Sequence, residues 1–151
     1  MDELKEEYMR EAIKEAEKAA AMGEVPIGAV IVWKGEIIGR GHNEREVTND
    51  ATTHAEMTAI RQANAFKQNW RLEEAELYVT LEPCAMCAGA IMHARLGRVV
   101  FGARDPKTGA AIGMADQRTN VFPLVAVTNI TKFYASINFR AFRHFQTGAL
   151  L

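Results

Sequence analysis

The sequence predicts a single three-layer α/β domain, and three observations carry that expectation. Short β-branched segments bounded by Gly and Pro alternate with longer stretches of helical apolar periodicity. The 151 residues suffice for one buried core, and no internal repeat, low-complexity tract or linker divides them. Hydrophobic residues make up 48% and charged residues 25%, the balance of an ordinary soluble globular chain.

The elements follow in order. Leu4, Tyr8, Ala12 and Ala16, with Met9, Ile13 and Ala20, form an apolar stripe among Glu and Lys, and Gly23 stands where that helix ends. "PIGAVIVWKGEIIGRGHN" predicts two strands turning at Lys34-Gly35. Thr52 or Thr53 is placed to cap a second helix from about His54 to Phe66. "AELYVTL" is a buried strand, and Pro83 suits the first turn of a third helix through about Arg95. "GRVVFGA" is another strand, followed by the loop "RDPKTGAA". "PLVAV" predicts a last strand, and Phe133, Ile137, Ala141 and Phe145 keep the i, i+4 spacing of a final helix.

No apolar run approaches the ~20 residues of a membrane span. The acidic, amphipathic start "MDELKEEYMR" differs from a signal peptide and from an Arg-rich transit peptide. Two closely spaced cysteines make no disulfide framework, so the expected compartment is the reducing cytoplasm. The net charge is only −1, but it is unevenly spread. Residues 1–92 hold 10 Lys and Arg against 17 Asp and Glu; residues 93–151 hold 8 against 2. Arg118, Lys132, Arg140, Arg143 and His144 lie in the basic part. Such asymmetry suits an anionic partner, and equally a dipolar surface with none.

Both cysteines lie in "LEPCAMCAGA". Cys84 and Cys87, at i and i+3, present their sulfurs on one side of a helix near its positive end, where thiolates are favoured. A metal site, a redox dithiol and coincidence in an apolar helix all satisfy that spacing. His54, in "THAEMTAI" at the start of another predicted helix, supplies an imidazole nitrogen, and Glu56 a carboxylate two residues on. One His and two Cys make three ligands, one short of a closed structural zinc site, and an open fourth position belongs to catalytic zinc. The carboxylate then has work as a proton shuttle. H-x-E followed by P-C-x-x-C is the signature of zinc nucleobase deaminases.

"GEVPIGAVIV", "GRGHN", "HAEMTAI", "NWRLEEAELYVTLEPCAMCAGAI" and "ARLGRVVFGARDPKTGAA" together resemble the bacterial tRNA-specific adenosine deaminases, within the cytidine/deoxycytidylate deaminase-like superfamily. The resemblance covers about residues 8–111. It implies a three-layer α/β/α fold with a central mixed five-stranded sheet. It also implies one Zn2+ per subunit on His54, Cys84 and Cys87, with Glu56 as proton shuttle. Asn43, Val25 and Leu81 match contacts to the extruded nucleoside, and Asp105 and Lys107 match the loop along the anticodon strand. Plain core packing is the competing reading of Val25 and Leu81, a strand-end turn that of Asn43, and a solvated loop charge that of Lys107. Glu82, before Pro83, reads as structural support rather than a second catalytic acid, and His42 and His93 read as surface or core histidines.

The implied activity is hydrolytic conversion of adenosine to inosine at position 34 of tRNA anticodon loops, by a cytoplasmic homodimer. Two alternatives stay open: a deaminase of free purine or pyrimidine bases, and a catalytically silent zinc-containing RNA-binding module. After the "GAA" stretch the chain departs from the family pattern, and residues 112–151 form a divergent C-terminal segment reading "IGMADQRTNVFPLVAVTNITKFYASINFRAFRHFQTGALL".

Overall fold

The computed structural model describes residues 6–116, 123–128 and 130. In chain order the elements are α1 (Glu6–Ala21), β1 (Gly28–Trp33), β2 (Glu36–His42), α2 (Arg45–Thr48), α3 (Ala55–Lys67), β3 (Glu76–Val79), α4 (Ala85–His93), β4 (Arg98–Phe101), α5 (Ala111–Asp116) and β5 (Leu124–Val127). The strands form one mixed sheet in the order β2-β1-β3-β4-β5. Lys34 (φ 51°) and Gly35 (φ 76°) turn the β1–β2 hairpin; positive φ at both central residues matches the right-handed twist of the flanking strands. Gly28 pairs with His42 and Ala29 with Val79, both antiparallel, whereas Leu77 and Val99, and Val100 and Ala126, pair in parallel. A parallel pair needs a crossover, and α4 supplies the one between β3 and β4.

Alternation along the strands sorts side chains onto two faces. Val30, Val32, Tyr78 and Val100 pack with Met9 and Ala12 of α1. Ala29, Ile31, Leu77, Val79, Val99 and Phe101 pack with Ala59, Ile60 and Ala63 of α3 and Ile91 of α4. The layers are therefore α1, sheet, and α3 with α4. Glycines permit this closeness: a Cβ on Gly28 would strike the Ala12 carbonyl, and one on Gly41 the Ala55 carbonyl at the start of α3.

The predicted layers and mixed sheet are observed, and β5 falls within the expected "PLVAV". Several local expectations are corrected. The stripe of α1 is buried at Met9, Ala12 and Ala16 as expected, with Tyr8 and Ile13 packed partly buried beside it, but it also takes in Ala19 and the charged Glu15. Neither Thr52 nor Thr53 caps α3; the Thr52 hydroxyl donates to Asp50, Thr53 pairs with Thr48, and His54 is the N-cap residue. Pro83 precedes α4 rather than opening it, because Cys84 takes the cap. The helix stops at His93, where Arg95 adopts φ 61° and the N–H groups of Arg95 and Leu96 fold back onto Met92 and Ile91. Helices α2 and α5 were not expected. Helix formation over Phe133–Phe145, and the placement of Arg118, Lys132, Arg140, Arg143 and His144, lie outside the described residues.

Candidate active site

The N-terminal end of β1 and the C-terminal ends of β2, β3 and β4 share one edge of the sheet, as the pairings Gly28–His42, Ala29–Val79 and Val79–Phe101 require. Helices α3 and α4 both begin at that edge, on the same face. Their cap residues, His54 and Cys84, have extended backbones (φ −86°, ψ 156° and φ −73°, ψ 176°), so each side chain leaves the helix at its tip. Cys87 follows in the first turn of α4.

These three residues converge. Nδ1 of His54 lies 3.7 Å from Sγ of Cys84 and 3.6 Å from Sγ of Cys87, and the three donor atoms lie within 4.8 Å of one another. Among the described residues this is the one His/Cys/Asp/Glu group so arranged. The donor set, two sulfurs and one imidazole nitrogen, fits zinc and leaves a tetrahedral position open.

Mutual contacts set the protonation pattern. Hydrogen bonding from Cys87, reinforced by His54, takes the Cys84 thiol down to about 4 against the effect of burial. The Cys87 thiol is pushed up, by Cys84 first and burial second. Contact with Cys84 raises His54 despite burial. Glu56, only 3% exposed in the first turn of α3, is raised by burial, which its hydrogen bond with Cys87 partly opposes.

The other expected site residues occupy the same edge. Asn43 is 4% exposed at the end of β2, its N–H donating to Ile27 O at 3.1 Å. Val25 is half-buried in the segment before β1. Leu81 packs with Ala103, Ile27 and Ile130, the core contact that its competing reading anticipates. Asp105 is buried, its Oδ1 accepting the N–H groups of Lys107 (3.0 Å) and Thr108 (3.1 Å), while Lys107 is exposed. Glu82 supports this loop as expected: its carboxylate accepts N–H bonds from Asp105 (3.3 Å) and Ile112 (3.5 Å). The loop is pinned beside the cysteines by the bond from Ala110 N–H to Pro83 O (2.9 Å) and a bridge between Cys84 and Gly109. His42 sits between Glu15 (3.3 Å) and Glu44 (2.8 Å) and is not a member of the ligand group. Sequence reasoning missed Glu24, which is 2% exposed; the only signal was its place one residue before Val25.

A mixed five-stranded sheet with a His/Cys/Cys group on two helix tips defines a cytidine deaminase-like domain. Residues 3–143 match the family model of the MafB19-like deaminases. The chain is 54% identical over 117 residues to a tRNA-specific adenosine deaminase of Streptococcus pyogenes, covering 75% of this chain and 74% of that one. It is 59% identical over 110 residues to the tRNA-specific adenosine deaminase of Bacillus subtilis, covering 73% and 66%. Among solved structures, one from work on A-to-I editing by tRNA:A34 deaminases superposes with TM-score 0.77 at 44% identity, covering 81% of this chain and 97% of that one. Guanine deaminase from Bacillus subtilis superposes with TM-score 0.67 at 33% identity, covering 91% and 96%. The chain belongs to the deaminases, to the MafB19-like family by its family model and to the tRNA-specific adenosine deaminases by its relatives.

Proposed function

We propose that this protein is a zinc-dependent hydrolase converting adenosine to inosine at the wobble position, 34, of tRNA anticodon loops. The carrying observation is the convergence of His54, Cys84 and Cys87 in a chain 54% identical to a tRNA-specific adenosine deaminase. The likeness to tRNA:A34 deaminases at TM-score 0.77 supports the same substrate.

His54 Nδ1 and the sulfurs of Cys84 and Cys87 would hold the metal. Zinc, when bound, lowers the pKa of a water toward ~7 and presents it to the substrate. Glu56 handles the protons. A carboxyl raised by burial accepts a proton more readily than an ordinary carboxylate and can return it. It takes the first proton from the attacking water and gives it to N1 of adenine while the oxygen bonds to C6. It then carries the second to the amine at C6, the C–N bond breaks, and ammonia leaves. Water thus supplies the inosine oxygen, the N1 proton and one proton of ammonia. Asn43, Val25 and Leu81 would hold the extruded base, and Asp105 and Lys107 the flanking strand. Duplex pairing hides C6, so a single-stranded loop is the fitting substrate.

The reading includes one catalytic domain spanning 1–151, a cytoplasmic setting and a homodimer. No helix among the described residues is long and apolar enough to cross a membrane. The outer face of α4 supports the dimer: Met86 is exposed, and a Cβ added at Gly89 meets nothing within 4 Å.

The test pairs zinc quantification with an inosine assay on an anticodon stem-loop carrying adenosine at 34. Inosine at that position, with the metal present, is the expected result. The likeness to guanine deaminase at 33% identity favours a second reading, deamination of a free base. Turnover of guanine or cytidine without RNA would favour it over the first, and RNA binding without any inosine would leave a silent module.

A further inference from the structure

We propose that Glu24 is a positioning residue for this site, a carboxylate that fastens α2 in place and with it the wall on which Val25 and Asn43 lie. The functional half of the proposal rests on the reading above. Helix α2 occupies the connection between Asn43 and His54, and nothing intrinsic holds it there. It is four residues long, too short to persist alone, and none of its side chains is buried. Val47 is 55% exposed, and the cap residue Glu44 makes no side-chain cap bond. The Thr48 hydroxyl donates to Glu44 O (2.8 Å) and pairs with Thr53 (3.0 Å), which ties the loop only to itself.

Two ties reach the loop from outside: His42 at the end of β2 meets the Glu44 carboxylate at 2.8 Å, and Glu24 holds the α2 backbone itself. Glu24 Oε1 accepts the Val47 N–H at 2.7 Å, one of the first-turn donors that an α-helix cannot satisfy internally. The bond adds a rung to the β1–β2 ladder beyond its last strand pair, Gly28–His42. Asn43 N–H donates to Ile27 O, then Val47 N–H donates to Glu24. Glu44 N–H donates to Thr53 O at 3.1 Å, one residue before His54. Glu24 therefore joins the segment carrying Val25 to the segment that begins with Asn43 and ends at His54. Its other oxygen, Oε2, is buried without a hydrogen-bond partner among the described residues. One accepting oxygen thus performs the fastening, and a neutral amide oxygen can replace it.

Amide hydrogen exchange and steady-state kinetics on the full chain test the proposal with Glu24→Ala and Glu24→Gln. In RNA-free protein, exchange at Val47 should quicken about 10-fold or more in Glu24→Ala and stay near the parent rate in Glu24→Gln. With the adenosine-34 stem-loop, Glu24→Ala should raise KM about 10-fold while zinc content holds and kcat stays within about 3-fold, and Glu24→Gln should restore KM. Should Glu24→Ala fail to fold, Glu24→Asp, whose reach is one methylene shorter, is measured in its place. Unchanged Val47 exchange in the shortened variant overturns the fastening. So does a Glu24→Gln protein as impaired as Glu24→Ala, since the charge would then matter rather than the acceptor. Val47 exchange that responds as stated in a protein unable to deaminate the RNA upholds the fastening and removes the functional reading instead.

Discussion

Nδ1 of His54 lies 3.7 Å from Sγ of Cys84, although 30 residues separate them along the chain. Sheet order produces the meeting. Strands β2 and β3 both flank β1 and end at the same edge, so the helices that follow them start side by side. Each places its cap side chain beyond the helix tip, so the gap between two helix termini holds three donor atoms.

Cys87→Ser should cost both metal and activity. The serine hydroxyl does not supply the thiolate that zinc prefers, and the Cys84 thiol loses the contact that chiefly lowers it. Elemental analysis of the purified variant should show zinc well below one per chain, with inosine formation at background. Full metal occupancy would remove Cys87 from the ligand set.

The two cysteines should differ in reactivity once metal is stripped. Lowered to about 4, Cys84 is a thiolate throughout the neutral range, whereas Cys87 is raised and stays protonated. Alkylation at Cys84 should then vary less than about 2-fold between pH 6 and 8, an interval over which an ordinary thiol of pKa ~8.5 gains reactivity steeply. It should fall only as pH approaches the Cys84 pKa. Peptide mapping after brief exposure to iodoacetamide reads both sites, and equal labelling of the two would contradict the assigned pattern.

Glu56→Gln should separate chemistry from stability. Losing the proton carrier should lower turnover by roughly 10²–10⁴-fold while metal is retained. Stability should move oppositely. A carboxyl raised in the folded state binds more protons folded than unfolded as pH climbs above 4.5, so its contribution is full below that value and is lost through the folded pKa. The glutamine has no charge to bury. In metal-free protein the variant should therefore gain over the parent as pH rises from 4.5 to 7, by about 1.4 kcal/mol per pKa unit of the shift. Thermal melts at the two pH values check the sign.

Much of this was legible in the sequence because the elements concerned bury side chains, and burial imposes a period. Ala29, Ile31, Leu77 and Val79 alternate with Val30 and Tyr78, and the ligand set follows from Cys84-x-x-Cys87 joined to His54. Helix α2 was illegible for the complementary reason: it buries nothing and leaves no apolar pattern. The caps misled because Thr and Pro are the usual residues at helix starts, whereas here His54 and Cys84 take those places with donor atoms aimed at each other. Glu24 and Glu82 act through bonds to N–H groups 23 and 30 residues away, respectively, and no local propensity encodes such a bond.

Glu82→Ala should loosen the loop beside the cysteines without touching the ligands. It leaves the buried Asp105 N–H and the partly buried Ile112 N–H without their acceptor, at a cost of about 1–3 kcal/mol, most of it at Asp105. The loop carries Asp105 and Lys107, the expected contacts to the flanking RNA. KM for the stem-loop should rise more than kcat falls, and zinc content should hold; loss of metal instead would make Glu82 part of the zinc site's own support.

Gly41→Ala should damage the site through the start of α3, on the face of the sheet that carries the ligand group. The added Cβ collides with the Ala55 carbonyl and comes within 2.9 Å of Ala59 N, both backbone atoms of α3 that no rotamer change can clear. Helix α3 must retreat, and overpacking of this kind costs about 1–3 kcal/mol or more. The collision falls on the first turn of α3, next to the cap His54 and on either side of Glu56, so the imidazole should move away from the two sulfurs. Gly39→Ala provides the comparison. Its Cβ meets Ala59 O and Ala63 N, about one turn farther along the same helix. Both variants should lose comparable thermal stability, but Gly41→Ala should lose zinc to a competing chelator at a lower chelator concentration. Equal zinc retention would show that the N-terminus of α3 can shift without carrying His54, and would place control of the imidazole in the 44–53 connection.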